Sequence, residues 1–159
     1  MTRTVLVVDD NIDARVIASR ILRHLGEEAV CVAGGAEAIE FLRHERPKLV
    51  LLDLDMPDMD GCAVVGWIRS EPDFENLPVV MFSAATEKEL LAALDCGADD
   101  YLRKGSCSVD DIRSSVRQWE EPDQPQQRPV GITRSDDQFR LPEIPEKEEL
   151  HSLSFFTIG

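Results

Sequence analysis

Asp9 and Asp10 close one short apolar run of this sequence, and Asp53 closes another. A third run ends at Ser83, and a fourth leads into Arg103-Lys104. Three carboxylates gathered at one point repel each other, and that repulsion raises the pKa of at least one of them. A hard divalent cation removes the repulsion. Mg2+ prefers few carboxylates, several waters and phosphate oxygens, so the set suits a metal-assisted phosphate reaction better than a closed calcium cage. A hydroxyl at Ser83 and an ammonium at Lys104 are the groups that would bind the oxygens of a phosphoryl group beside Asp53. Taken singly each residue has an ordinary use. Aspartates after a strand cap helices, a serine at a strand end does the same, and a lone lysine is usually a solvated surface residue. Their shared position at the ends of four apolar runs is what points to chemistry.

The elements that would position them follow from periodicity. Apolar, β-branched runs at residues 4–8, 29–33, 48–52, 78–82 and 100–103 read as strands. Between them lie helical patterns: Ile12, Val16, Ile17, Ile21 and Leu25 in the first, Ile39 and Leu42 in the second, Val64, Val65 and Ile68 in the third. Leu90, Leu91 and Leu94 mark the fourth, and Val109, Ile112, Val116 and Trp119 the last, which Ser108 and Asp111 can cap. Five β–α units with continuous apolar strands imply an α/β fold, a doubly wound parallel sheet covered on both faces. In the strand order 2-1-3-4-5 the first and third strands are neighbours at the topological switch point, where ligands bind beyond the carboxyl ends.

Composition bounds the rest. The 159 residues carry 31 acids against 17 bases, a formal charge of −14. Such a surface repels nucleic-acid backbones and anionic membranes, so neither is expected as a partner. No stretch approaches a membrane span or a signal sequence, which makes the cytoplasm the expected location. Cys31, Cys62, Cys96 and Cys107 form no CxxC pair and read as free thiols rather than a zinc site. His24 and His44 fall near helix C-termini and read as surface residues. Trp67 points away from the face that carries Val64, Val65 and Ile68. Gly61 reads as a turn before the third helix. The division expected is a domain over 1–120 and an acidic, Pro-rich tail over 121–159, the latter ending in the apolar Leu150, Leu153, Phe155, Phe156 and Ile158. The tail has no room for a basic helix-turn-helix output domain, and its apolar end is expected to dock on this domain or on a partner.

The motifs Val7-Val8-Asp9-Asp10, Leu51-Leu52-Asp53-Leu54-Asp55-Met56-Pro57-Asp58-Met59-Asp60-Gly61, Ser83-Ala84 and Gly97-Ala98-Asp99-Asp100-Tyr101-Leu102-Arg103-Lys104 together resemble the receiver domains of two-component response regulators, a CheY-like superfamily with a flavodoxin-like (βα)5 fold. The resemblance covers residues 3 to 119. It implies that Asp53 is the phosphoacceptor and that Asp10, Asp9, Asp53 and the Asp55 carbonyl hold Mg2+. It further implies that Ser83, Lys104 and the Ala84 N–H bind the phosphoryl oxygens. Ser83 and Tyr101 are then the switch pair that shifts the face formed by helix 4, strand 5 and helix 5. The donor implied is a histidine kinase, a histidine phosphotransfer protein or a small acyl phosphate. No substrate other than the domain itself is turned over. One departure is Gly105, where the family usually has proline after a cis bond. A cis bond before a non-proline residue costs about 2.5–4 kcal/mol, so three outcomes stay open: Gly105 bears that cost, takes the trans form, or leaves the loop mobile. Two other functions remain open at the level of sequence: a pseudo-receiver that binds partners without phosphorylation, and a haloacid-dehalogenase-like phosphatase suggested by Asp53-Leu54-Asp55. In the phosphatases that motif follows the first strand, a position held here by Asp9-Asp10.

Overall fold

A computed structural model describes residues 4–119. The expected tail, its apolar end and the 120/121 boundary lie outside the described residues. Strands β1 (Thr4–Val8), β2 (Glu28–Val32), β3 (Leu49–Leu52), β4 (Val79–Ser83) and β5 (Asp100–Arg103) alternate with helices α1 (Ile12–His24), α2 (Gly35–His44), α3 (Gly61–Ser70), α4 (Glu87–Asp95) and α5 (Val109–Gln118). A single 3-10 turn at Pro72–Phe74 precedes β4. The sheet is parallel throughout and ordered β2-β1-β3-β4-β5, as expected.

The pleat sends successive side chains to opposite faces, and each face has its own core. Val5, Val7, Leu49, Leu51, Val80 and Phe82 pack under α1 and α5. Leu6, Val8, Val50, Leu52, Val79 and Met81 pack under α2, α3 and α4. Strands buried on both faces need apolar residues at every position, which is why β1, β3 and β4 carry unbroken apolar runs. Ser108 and Asp111 cap α5 reciprocally, and Thr86 and Glu89 do the same for α4. His24 and His44 are exposed at helix ends. Trp67, expected to point away from the core, is instead half-buried against the edge of the α2–α3–α4 core, tilted on the buried Phe74 with 6.1 Å between ring centroids.

Four other expectations need correction. Ile12 is 64% exposed and Val16 44%, so neither belongs to the core face of α1, which is Ala14, Ile17, Ala18, Ile21 and Leu22. Leu91 is likewise on the outer side of α4, where Leu90 and Ala93 are buried. Cys62 and Cys96 are joined in a disulfide, leaving Cys31 and Cys107 as the free thiols. Gly61 is the first residue of α3, not a turn before it. A Cβ there would stand 2.5 Å from the Asp53 carbonyl oxygen and 2.8 Å from Met81 Cε. This glycine lets α3 start directly against the strand end that carries Asp53. Gly61→Ala is therefore expected to lower stability by roughly 1–3 kcal/mol, as overpacking does, read as a lowered urea midpoint.

Candidate functional site

The register of the sheet assembles the site. Val8 pairs with Leu52, so the next residues of the two strands, Asp9 and Asp53, emerge side by side. The Asp53 N–H donates to the Val8 carbonyl at 2.8 Å, which fixes the phosphoacceptor candidate to the end of β1. Across the sheet, Ser83 pairs with Arg103, and the Lys104 N–H donates to the Ser83 carbonyl at 2.9 Å. All four strand ends therefore open on one rim, as the sequence predicted. Carboxylate oxygens of Asp9, Asp10 and Asp53 lie within 4.8 Å of one another, the acidic cluster found among the described residues.

Burial and charge are unevenly shared. Asp9 is 2% exposed and Asp53 7%, while Asp10 faces solvent. The Lys104 ammonium donates to Asp9 Oδ2 and lies 3.9 Å from Asp53 Oδ2. Its ammonium also stands 5.7 Å from the centre of the Phe82 ring, an aromatic that receives a cation favourably. The Asp53 carboxyl is pushed up from 3.8 to about 6. Burial is the main cause, and the charges of Asp9 and Asp10 add to it. The Lys104 ammonium and a hydrogen bond with the Ser83 hydroxyl oppose it.

Asp53 resists ionisation mainly because it is buried, and the single ammonium of Lys104 offsets only part of that cost while Asp9 and Asp10 add to it. A divalent cation between Asp9, Asp10 and Asp53 fits this donor set: all oxygen, two of them buried, with one side open to water.

Two supporting residues escaped the sequence reading. Asn11 caps α1 by accepting from the N–H groups of Asp13 and Ala14, and its own N–H donates to Asp9 Oδ1 at 2.9 Å. Arg15 Nη1 donates to the Asp9 carbonyl at 2.7 Å. Asn is a strong N-cap residue, so Asn11 carried a local signal. Arg15, one turn into α1, did not. Both hold Asp9 in its place from the α1 side. Tyr101 is half-buried on β5, and its hydroxyl donates to Glu87 Oε1 of α4 at 3.2 Å. The candidate switch residue therefore touches the helix it is expected to move. Asp55 and Ala84 are exposed in the loops flanking the crevice. The described residues contain no cis peptide bond, so the Lys104–Gly105 bond is trans. Lys104 is aimed by the β4–β5 register and by the turn behind it, in which Cys107 N–H donates to the Arg103 carbonyl at 2.9 Å.

These features define a doubly wound α/β domain with an acidic crevice and an aimed lysine at its switch point. The chain belongs to the response regulator receiver domain family, whose pattern residues 5–117 match. These domains are the phosphoacceptor switches of two-component signalling. The probable transcriptional regulator ycf27 of Cyanophora paradoxa is 37% identical over 124 residues, 76% of this chain and 51% of that protein. This chain thus spans about half the length of that relative. The phosphorylated cyanobacterial phytochrome response regulator RcpA superposes with a TM-score of 0.62 at 27% identity, covering 74% of this chain and 91% of that one. The Mn2+-bound response regulator Rcp1 does so with a TM-score of 0.59, also at 27% identity and over the same shares. The family match carries no support for the phosphatase.

Proposed function

We propose that this chain is a phosphorelay switch that takes a phosphoryl group on Asp53 and passes the signal through protein contacts. The observation that carries the reading is the meeting of Asp53 with Asp9, Asp10, Ser83 and Lys104 at one rim. The phosphorylated and Mn2+-bound states of the two similar regulators agree with it. Asp9, Asp10, Asp53 and the Asp55 carbonyl would hold Mg2+, whose charge would offset that of the entering phosphoryl group.

A carboxylate oxygen of Asp53 attacks the phosphorus of a phosphohistidine. An acyl phosphate bond forms, and the bond from phosphorus to the donor's imidazole nitrogen breaks. The imidazole keeps that electron pair and takes a proton from water. Lys104 exchanges Asp9 for a phosphoryl oxygen, while the Ser83 hydroxyl and the Ala84 N–H bind the others. The new group brings about −1.5 to −2 charges to one strand end. Ser83 turns toward it, Tyr101 fills the vacated space, and its bond to Glu87 is given up. The α4–β5–α5 face then favours a different partner. The donor is a histidine kinase or histidine phosphotransfer protein in the cytoplasm, and the acidic surface keeps nucleic acid and membrane from competing.

The test is intact-mass measurement of the full chain incubated with acetyl phosphate. One phosphoryl mass should appear with Mg2+, map to the peptide containing Asp53, and be absent in EDTA. No uptake from acetyl phosphate or from a phosphorylated histidine donor would leave a binding module that works without phosphorylation.

A further inference from the structure

Cys62 and Cys96 are 34 residues apart in sequence, with Cα atoms 5.6 Å apart, and are bonded to each other. Cys62 lies in the first turn of α3, directly after the Gly61 that touches the Asp53 backbone. Cys96 is the C-cap of α4. The bond therefore joins the helix that begins at the phosphoacceptor to the helix whose first turn meets Tyr101.

The surroundings explain why the two residues meet. Cys62, Val65 and Arg69 recur at helical spacing on one side of α3. On that side lies Gly97, with a φ of +114° that suits glycine. A Cβ added at Gly97 would stand 3.2 Å from Arg69 Cγ and 3.4 Å from Val65 Cγ1. Arg69 also donates from Nε to the Gly97 carbonyl at 3.0 Å, and from its guanidinium to Asp99 Oδ2 at 2.7 Å. The turn after α4 is thus already seated on α3, which brings the two cysteines together. α4 itself is held thinly, with Leu90 and Ala93 its buried side chains. A covalent tie at one end of such a helix restrains it far more than it would a well-buried one.

We infer that Cys62 and Cys96 form a reversible thiol–disulfide site that pins the end of α4 to α3 and so limits how far α4 responds to Asp53. The coupling to Asp53 rests on the phosphoacceptor reading; the site itself does not. In a reducing compartment a disulfide of this kind is a transient, redox-sensing one rather than a permanent staple. The oxidant is a small-molecule disulfide of the glutathione class. One cysteine thiolate displaces a small thiol to give a mixed disulfide, and the second cysteine thiolate then displaces the other. Two protein thiols lose two electrons and two protons, and one small disulfide becomes two thiols. Cys31 and Cys107 provide the internal contrast. Both remain thiols, and burial pushes the Cys31 thiol up, which disfavours its reactive form.

The full chain equilibrated in reduced and oxidised glutathione buffers tests this. After denaturation, maleimide should tag all four cysteines of the reduced chain and only Cys31 and Cys107 of the oxidised one. Hydrogen exchange in α4 and its C-terminal turn should be about tenfold slower in the oxidised chain. Cys62→Ser and Cys96→Ser should each remove that redox difference while keeping slow exchange in β1 and β3. With beryllofluoride as phosphoryl mimic, the change in α4 exchange should be smaller in the oxidised chain than in the reduced one. Four tags under oxidising conditions, or α4 exchange that ignores the redox state, would overturn the site. An equal response to the mimic in both states would overturn the coupling alone. No response in the reduced chain would overturn the phosphoacceptor reading and leave the thiol site standing on its tags and its exchange.

Discussion

Asp53→Asn is expected to abolish phosphoryl uptake and, in the same molecule, to stabilise the metal-free domain at neutral pH by about 2–3 kcal/mol. The loss of uptake follows because an amide offers no carboxylate nucleophile. The gain in stability follows from the raised pKa of Asp53, about 6 against 3.8 for an unperturbed group. An acid with a raised native pKa binds its proton more tightly when folded than when unfolded. Between pH 4 and pH 6 the native state is therefore the more protonated of the two, and this group's contribution to stability falls as pH rises. Above pH 6 the penalty is fully present; below pH 4 it is gone. The cause is the removal of a charge from water at a strand end beside Asp9 and Asp10, which Lys104 and Ser83 offset only in part. Asn has nearly the same shape and no charge to desolvate. Urea unfolding of both proteins in EDTA should show the largest gap near pH 7.5 and a shrinking gap toward pH 4. Mg2+ should narrow it from the other side by stabilising the wild type through binding to its native state. A variant less stable than wild type at pH 7.5 in EDTA, or a gap that widens on acidification, would contradict the electrostatic account. The domain on this view keeps a destabilised carboxylate where it needs a nucleophile, a common relation between function and stability.

The strands and the rim were legible because each is encoded by contiguous residues. A strand buried on both faces reads as an unbroken apolar run, and the residue after the run must lie at the sheet's carboxyl edge, so the positions of Asp9, Asp53 and Lys104 follow from the sequence pattern. The misplaced helix residues were also legible, and a simple wheel corrects them. At 3.6 residues per turn, Ile12 and Val16 stand roughly 140–180° from Ile21, and the small Ala14 and Ala18 beside Ile17 and Ile21 mark the side that lies against the sheet. Apolar character alone had outweighed angle. The Cys62–Cys96 bond was not legible, because nothing local relates residues 34 apart in sequence. It depends on Gly97 resting on α3, and that in turn depends on where Arg69 sends its guanidinium. The partner of Lys104 lay equally beyond reach. Sequence placed the ammonium on the rim, but whether it meets Asp9 or Asp53 is decided by side-chain geometry within a few ångströms.

That geometry sets the second large effect. Lys104→Met is expected to destabilise the metal-free domain by about 3–5 kcal/mol, the cost of breaking a buried ion pair from one side. Both partners are buried, with side-chain exposures of 9% for Lys104 and 3% for Asp9. The exposed pair between Arg43 and Glu40 belongs to a class worth about 0–1 kcal/mol, so equal distances would not mean equal energies. Met keeps the stem volume beside Phe82 and removes only the charge, which leaves Asp9 facing Asp53 with no cation between them. Part of the cost is avoided when Asp53 takes up a proton, so the loss should be greatest at alkaline pH, where it can no longer do so. Mg2+ should restore most of the stability, since a divalent ion at Asp9, Asp10 and Asp53 replaces the missing counter-charge. Asp9→Asn added to Lys104→Met should also restore it in EDTA, because removing both members of a buried pair costs far less than removing one. Urea midpoints for the single and double variants, with and without Mg2+, measure all of this. If Lys104→Met loses less than about 1 kcal/mol in EDTA, or if Mg2+ leaves the loss unchanged, the lysine is not the counter-ion of this crevice, and its bond to Asp9 is only one of several rotamers it can adopt.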